Sequence, residues 1–298
     1  MDSDRDLRFA VLGPVRAFRD GTELPLGGPQ QRAFVAALLA AGGRGLPMDR
    51  IVAALWGDEP PARAVGTVRT YASRLRQTLE RDRSRPEILL SDGDGYALPV
   101  PDEAVDARMF EAALAKADLE ECPAARRRLL DAALASFEGV PLAGVPGPDA
   151  DAWRTRLAGR RLDALLTRLD LDLSLGRHAA AVAELGLLAG EHPLDERVHA
   201  LLMTALYRCG RQAEALAAYG EARRVLAAEL GVRPGPELTG LHERILRNDP
   251  SLDPRAPGAN DASRLPAPAP APASELAPAP DRPVLPKPAA LPADLPDF

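Results

Sequence analysis

The sequence predicts a mainly α protein with a small amount of β structure, in three parts, and three observations carry that expectation. The first 100 of its 298 residues read as strands, three helices and a hairpin. Residues 103–248 keep a nearly continuous helical periodicity that repeats itself at a step of 34. Residues 249–298 hold 14 of the 30 prolines. Hydrophobic residues make up 46% of the chain and aromatics only 4%, so its cores are aliphatic and alanine-rich, which favours helix over sheet.

The elements follow in order. Residues 7–26 alternate apolar and polar positions (Leu7, Phe9, Val11, then Val15 and Ala17), and Asp20-Gly21 is a hairpin-turn signal, so two or three short antiparallel strands are expected. In "GGPQQRAFVAALLAAGG", Pro29 suits a first helical turn and Gly42-Gly43 stops the helix. "LPMDRIVAALWG" is a short helix with Ile51, Val52, Leu55 and Trp56 on one face, which makes Trp56 a core residue; Gly57 ends it and "DEPP" forces a loop. A third helix spans Ala62 to Leu79. Its Val65, Val68, Ala72, Leu75 and Leu79 are spaced 3, 4, 3, 4, a single apolar stripe. The opposite face carries Arg63, Gly66, Thr70, Ser73, Arg74 and Gln77. Thr67 and Arg69 flank it, and Arg76 lies near the apolar edge, better placed for a phosphate or a neighbouring carboxylate than for a base. "PEILLSDGDGYALPV" then reads as a hairpin from Ile88 to Leu98. Strands, three helices and a hairpin are the layout of a winged helix, with the third helix as groove reader and the hairpin as wing.

The helical periodicity beyond residue 103 breaks at Pro123, at "GVPLAGVPGPD" and at "ELGVRPGP". "LGRHAAAVAEL" (175–185) aligns with "CGRQAEALAAY" (209–219), which pairs Gly176 with Gly210, Ala181 with Ala215, Val182 with Leu216 and Leu185 with Tyr219. The step of 34 is the tetratricopeptide period. Pro193 sits where that repeat ends its second helix, although the second copy has Ala227 there. At least two helix–turn–helix units are expected, with a more degenerate one over 108–137. The final stretch, including "LPAPAPAPAS", lacks donors and apolar mass for a core and should be extended and disordered.

Composition and motifs exclude much chemistry. No GxSxG, HExxH or CxxC occurs, and the only lysines, Lys116 and Lys287, lie outside any phosphate-binding loop. His178, His192, His199 and His242 are not spaced to share a helical turn, so no metal, no cofactor and no catalysis are predicted. Cys122 and Cys209 are isolated. The N-terminus is no signal peptide, and no apolar run approaches the roughly 20 residues that span a bilayer, so a soluble, cytoplasmic, nucleoid-associated protein with no membrane partner is expected. The net charge is −6, yet residues 60–85 hold seven arginines against Glu80 and Asp82. This local basic patch coincides with the third helix. A helix fits the major groove, arginine bonds guanine bidentately, and Thr, Ser and Gln reach phosphates or base edges. The helix thus offers Arg63, Thr70, Ser73, Arg74 and Gln77 from its outward face, Thr67 and Arg69 from the flanks and Arg76 from near the apolar edge as DNA-binding residues. The hairpin tip, with Asp92 and Asp94, is acidic where a wing near phosphate would favour Arg or Lys.

The stretches "LGGPQQRAFVAALL", "ALWGDEPP", "TVRTYASRLR" and "HPLDERVHALLMTALYRCGRQAEALAAYGEARRVLAAELGVRPGPEL" resemble the Streptomyces antibiotic regulatory protein (SARP) family over about residues 7–250. The resemblance implies an OmpR-like winged helix over 1–101, a bacterial transcriptional activation domain of tetratricopeptide-like helices over 102–250, and a Pro/Ala-rich tail over 251–298. It implies an activator that binds promoter direct repeats near the −35 region as a homodimer, recruits RNA polymerase with its sigma factor, and switches on a secondary-metabolite cluster. "TVRTYASRLR" is the recognition helix by this likeness, which carries over Thr67, Arg69, Thr70, Ser73 and Arg74. Larger relatives append an ATPase or sensor module, and neither ATP-driven nor phosphorylation control is expected from this sequence. A helical-repeat adaptor, or a repressor using the same DNA contacts, are the alternatives.

Overall fold

A computed structural model describes residues 7–82 and 84–253. Strands β1 (Leu7–Ala10), β2 (Arg16–Arg19) and β3 (Thr22–Leu24) form an antiparallel sheet in that order, with Leu7 opposite Arg19 and Ala17 opposite Leu24. The alternation sets which side faces inward: Leu7, Phe9, Val11, Val15 and Ala17 are all buried. Asp20 and Gly21 both take positive φ, +50° and +76°, as the tight turn between β2 and β3 requires.

Helices α1 (Pro29–Ala40), α2 (Met48–Trp56) and α3 (Ala64–Leu79) follow, then the hairpin β4 (Leu90–Asp92) and β5 (Gly95–Ala97). Leu46 pairs with Tyr96 of β5 through two backbone hydrogen bonds of 2.9 and 3.0 Å, tying the hairpin to the α1–α2 connection. The sequence expectation needs two corrections here. Helix α3 begins at Ala64, and Ala64 heads its apolar stripe, with Val65 43% exposed; the buried set is Ala64, Val68, Ala72, Leu75 and Leu79, spaced 4, 4, 3, 4. Trp56 is only half-buried at the edge of the core, while Ile51 and Leu55 of the same helix are at its centre.

The rest of the described chain is helical: α4 (Asp106–Asp118), α5 (Pro123–Leu134), the 27-residue α6 (Pro148–Ser174), α7 (His178–Glu191), α8 (Glu196–Arg208), α9 (Gln212–Leu230) and α10 (Pro236–Leu246). Pro123, Pro148 and Pro236 each sit in a first turn, where the missing N–H costs nothing. The sequence repeat is a structural one. Gly176 and Gly210, at φ +79° and +74°, make equivalent turns between α6 and α7 and between α8 and α9, and Ala181 and Ala215 are buried at equivalent crossings.

One continuous core runs from β1 through α1, α2 and α3 to Phe110, Leu130, Trp153 and Leu157. Further along α6, Leu166, Leu169 and Leu173 join Leu185 and Val198 in a second cluster. A third joins Met203, Leu206 and Ala222 to Leu238, Ile245 and Leu252. Helix α6 thus belongs to the core of the N-terminal part at one end and to that of the helical repeats at the other. Its start is pressed on α2: a Cβ on Gly147, at φ +108°, would lie 2.7 Å from the Ala54 carbonyl oxygen. Nearby, the Asp106 carboxylate accepts from the amides of Val11 and Leu12 at 2.9 and 3.1 Å. Arg108 donates to the Leu39 carbonyl at 2.9 Å. Deeper in the repeats, buried Asp172 of α6 accepts from Arg127 of α5 at 2.6 Å and from Arg168 at 2.9 Å, and Arg168 also bonds Glu184 of α7.

Residues 250–252, partly assigned to the tail by the sequence, form a 3₁₀ turn whose Leu252 is buried in the third cluster, and whose carbonyl accepts from Arg208 at 2.9 Å. The remainder of the expected extended tail, 254–298, lies outside the described residues.

Candidate nucleic-acid interface

Helix α3 exists because its inward stripe is apolar, and that stripe fixes what points outward. Arg63 caps the helix N-terminus and is exposed, as are Arg69, Thr70, Ser73, Arg74 and Gln77; Thr67 and Arg76 are half-buried. All eight residues expected at the interface lie on or at the end of this helix, but their side chains stand in three different situations.

The side chains of Arg63, Arg69, Ser73, Arg74 and Gln77 make no hydrogen bond within the described residues, and the three arginines have no carboxylate within 4.0 Å there. The arginines of the helical repeats are mostly spent: Arg197 bonds Asp195 and Asp163, each at 2.9 Å, and Arg211, Arg224 and Arg247 each pair with a glutamate on their own helix or its cap. Hydrogen bonds donated to Asp195 and Asp163 hold the Arg197 guanidinium more firmly protonated than usual. A guanidinium without a partner retains its full set of five donors for a polyanion.

Thr67 and Thr70 form the second situation. Their hydroxyls donate back to the carbonyls of Arg63 and Gly66, at 3.0 and 2.9 Å. The proton is occupied, so toward an outside partner each oxygen offers an acceptor and each side chain a methyl.

Arg76 is the third. Its Nε donates to the Leu89 carbonyl at 2.9 Å, one terminal nitrogen donates to Ser91 Oγ at 3.0 Å, and its guanidinium carbon lies 5.6 Å from the Tyr96 ring centre. The carboxylate partner expected for it is absent among the described residues; it is bound to the hairpin instead. One turn later, buried Glu80 accepts from the amides of Glu87, Ile88 and Leu89 at 2.9, 3.1 and 2.8 Å. Glu80 and Tyr96 are the residues the sequence reading missed. Glu80 follows a helix like any exposed glutamate, and nothing in its spacing announces three amides seven to nine residues away.

The hairpin tip turns at Gly93, φ +58°, with Asp92 and Asp94 exposed on either side. No cluster of three His, Cys, Asp or Glu side chains able to hold a metal occurs among the described residues, and no helix there is long and apolar enough to cross a membrane.

Comparison with known proteins matches the two halves of this arrangement separately. Residues 21–98 match the family described as transcriptional regulatory protein, C terminal, and residues 105–246 match the bacterial transcriptional activator domain. The chain is 48% identical over 297 residues to regulatory protein AfsR of Streptomyces griseus, covering 98% of this chain but only 28% of that one. It is 33% identical over 262 residues to regulatory protein DnrI of Streptomyces peucetius, covering 84% of this chain and 96% of that protein. The solved structure of Mycobacterium tuberculosis EmbR in complex with a low-affinity phosphopeptide superposes with a TM-score of 0.75 at 34% identity, over 82% of this chain and 66% of that one. The chain therefore spans about a quarter of AfsR and nearly all of DnrI.

Proposed function

The chain belongs to the SARP family of transcriptional regulators, and on that premise we propose that it is a sequence-specific DNA-binding activator that reads promoter direct repeats near the −35 region through α3. The observation that carries the reading is the outward face of α3, where Arg63, Arg69 and Arg74 stand without carboxylate partners among the described residues, beside Ser73 and Gln77. A helix with this face enters the major groove, where forked arginines meet guanine edges or phosphates and the amide of Gln77 meets a base edge. Thr67 and Thr70 contribute methyl contact and acceptors. Two protomers bind head to tail on half-sites about 10–11 base pairs apart. The helical repeats supply the protomer contact and the surface for RNA polymerase and its sigma factor, and the target is a secondary-metabolite gene cluster.

The test uses a fluorescent duplex selected by the full chain from a random-sequence pool. Arg74→Ala is expected to weaken binding by about 1–3 kcal/mol and, if Arg74 meets a phosphate, to lower the salt slope by about one. An unchanged affinity and footprint would remove Arg74 from the interface. Transcription with purified polymerase on the selected site separates activation from repression.

A further inference from the structure

Leu89, the residue that leads into the hairpin, is clasped from both sides by α3. Its amide donates to Glu80 at 2.8 Å and its carbonyl accepts from Arg76 at 2.9 Å. Arg76 lies in the last turn of α3 and Glu80 caps its C-terminus, and both side chains reach the same residue, Leu89. Glu80 adds the amides of Glu87 and Ile88, and Arg76 adds Ser91 Oγ and the Tyr96 ring. Tyr96 in turn meets Phe34 of α1 edge-on at 5.6 Å and pairs with the Leu46 backbone. The hairpin is thus bolted to α3, α1 and the α1–α2 connection by groups that lie away from the free arginines. Its tip carries Asp92 and Asp94, exposed and in no ion pair among the described residues. Those charges repel phosphates.

We propose that Arg76 and Glu80 are positioning residues rather than DNA contacts, and that the hairpin is a brace that fixes the C-terminal half of α3. This rests on the reading of α3 as the DNA-binding helix. Arg76 uses its fork on a carbonyl and a hydroxyl 13 and 15 residues away, at the moment when a phosphate contact would need it free. Glu80 is negative, buried and fully used, so it can serve DNA binding only by holding the chain in place.

The experiment measures, for the full-length chain, affinity for the selected fluorescent duplex as a function of salt, with melting temperature and hydrogen exchange of the 87–91 amides followed in parallel. Arg76→Lys keeps the charge but loses the fork. It is expected to lower affinity about fivefold or more with the salt slope unchanged, and to speed exchange at those amides. Glu80→Gln removes a negative charge, which by simple attraction would tighten binding; it is expected instead to weaken it, again at constant slope. Ser91→Ala removes one acceptor from Arg76 at an exposed position, leaves the melting temperature unchanged, and is expected to lower affinity about twofold, so a result is obtained even where the other two variants melt. Wild-type affinity in Arg76→Lys, tighter binding by Glu80→Gln, a slope lowered by about one in Arg76→Ala, or an unaffected Ser91→Ala each overturns the proposal. A wild-type chain that selects no duplex overturns the DNA reading itself, whereas selection with these variant results overturns the brace alone.

Discussion

Asp106 holds the start of α4 to the β1–β2 connection, and its removal is worth working through. In Asp106→Ala, the amides of Val11, Leu12 and Ala107 lose their acceptor, which stands at 2.9, 3.1 and 2.7 Å in the intact chain. Each bond is charge-assisted, and each amide left without a partner costs about 1–3 kcal/mol if water cannot replace it. Asp106 is half-buried, so water reaches part of the gap, and the low end of that range applies, about 2–4 kcal/mol in total. The cost also depends on pH, with a definite sign. Burial pushes the Asp106 carboxyl above its usual range, against the pull of the Leu12, Val11 and Ala107 amides, and the charge of Glu138 pushes the same way. Ionising Asp106 is therefore harder in the folded chain than in the unfolded one. The stability it contributes is complete below the ordinary carboxylate pKa and is partly lost as pH rises through the raised folded value. Denaturant titrations of wild type and Asp106→Ala at intervals from about pH 4 to pH 8 should thus show a deficit that is largest at the acid end and shrinks toward neutrality. A deficit that grows with pH would refute the reasoning, because it would mean that three amides outweigh burial and hold the carboxylate ionised.

Other expectations are simpler. Gly147→Ala places a Cβ against the Ala54 and Leu55 carbonyls at a φ of +108°, and is expected to destabilise the chain by about 2–4 kcal/mol; a denaturation midpoint equal to wild type would show that α6 can back away from α2 freely. Removing residues 254–298 should leave melting temperature and affinity for the selected duplex unchanged, since the last buried side chain of the described chain is Leu252. Removing 250–298 should lower the melting temperature, because it also takes the carbonyl that accepts from Arg208. Equal melting of the two truncations would refute the structural role of that turn.

The features legible in the sequence are those whose cause is local. The Asp20-Gly21 turn, the stops at Gly42 and Gly57, the start at Pro29, the break at Pro123, and the step of 34 from Gly176 to Gly210 each depend on a few adjacent residues. The outward face of α3 was legible for the same reason: a helical wheel needs no knowledge of the partner. It erred only at the first turn, where Ala64 and Val65 are both apolar and periodicity cannot choose between them. The rest turns on distant partners. Arg76 stands out only as lying near the apolar edge until Leu89 and Ser91 arrive beside it, and Asp106 looks like an ordinary first-turn acid until amides 94 and 95 residues earlier in the chain meet it. The dual membership of α6 was hidden because one uninterrupted helix, with no Pro or turn signal inside it after Pro148, runs from one core into the next.

That unbroken helix joins the strands and short helices before it to the helical repeats after it as a single beam rather than as two beads on a string. A protein whose reading head and helical arm were joined by a slack linker would tolerate any spacing of its sites along a duplex, since the linker would absorb the difference. Here Gly147, Asp106 and the α2–α6 packing leave no such slack. If α3 lies on DNA as proposed, turning it around the duplex axis carries the α7–α10 arm through the same angle. Each base pair added between two sites rotates the second arm by about a tenth of a turn, and about five base pairs put the two arms on opposite sides of the duplex. On the proposed reading of α3 as a DNA-binding helix, the phase of the sites, and not merely their presence, becomes part of what the chain recognises.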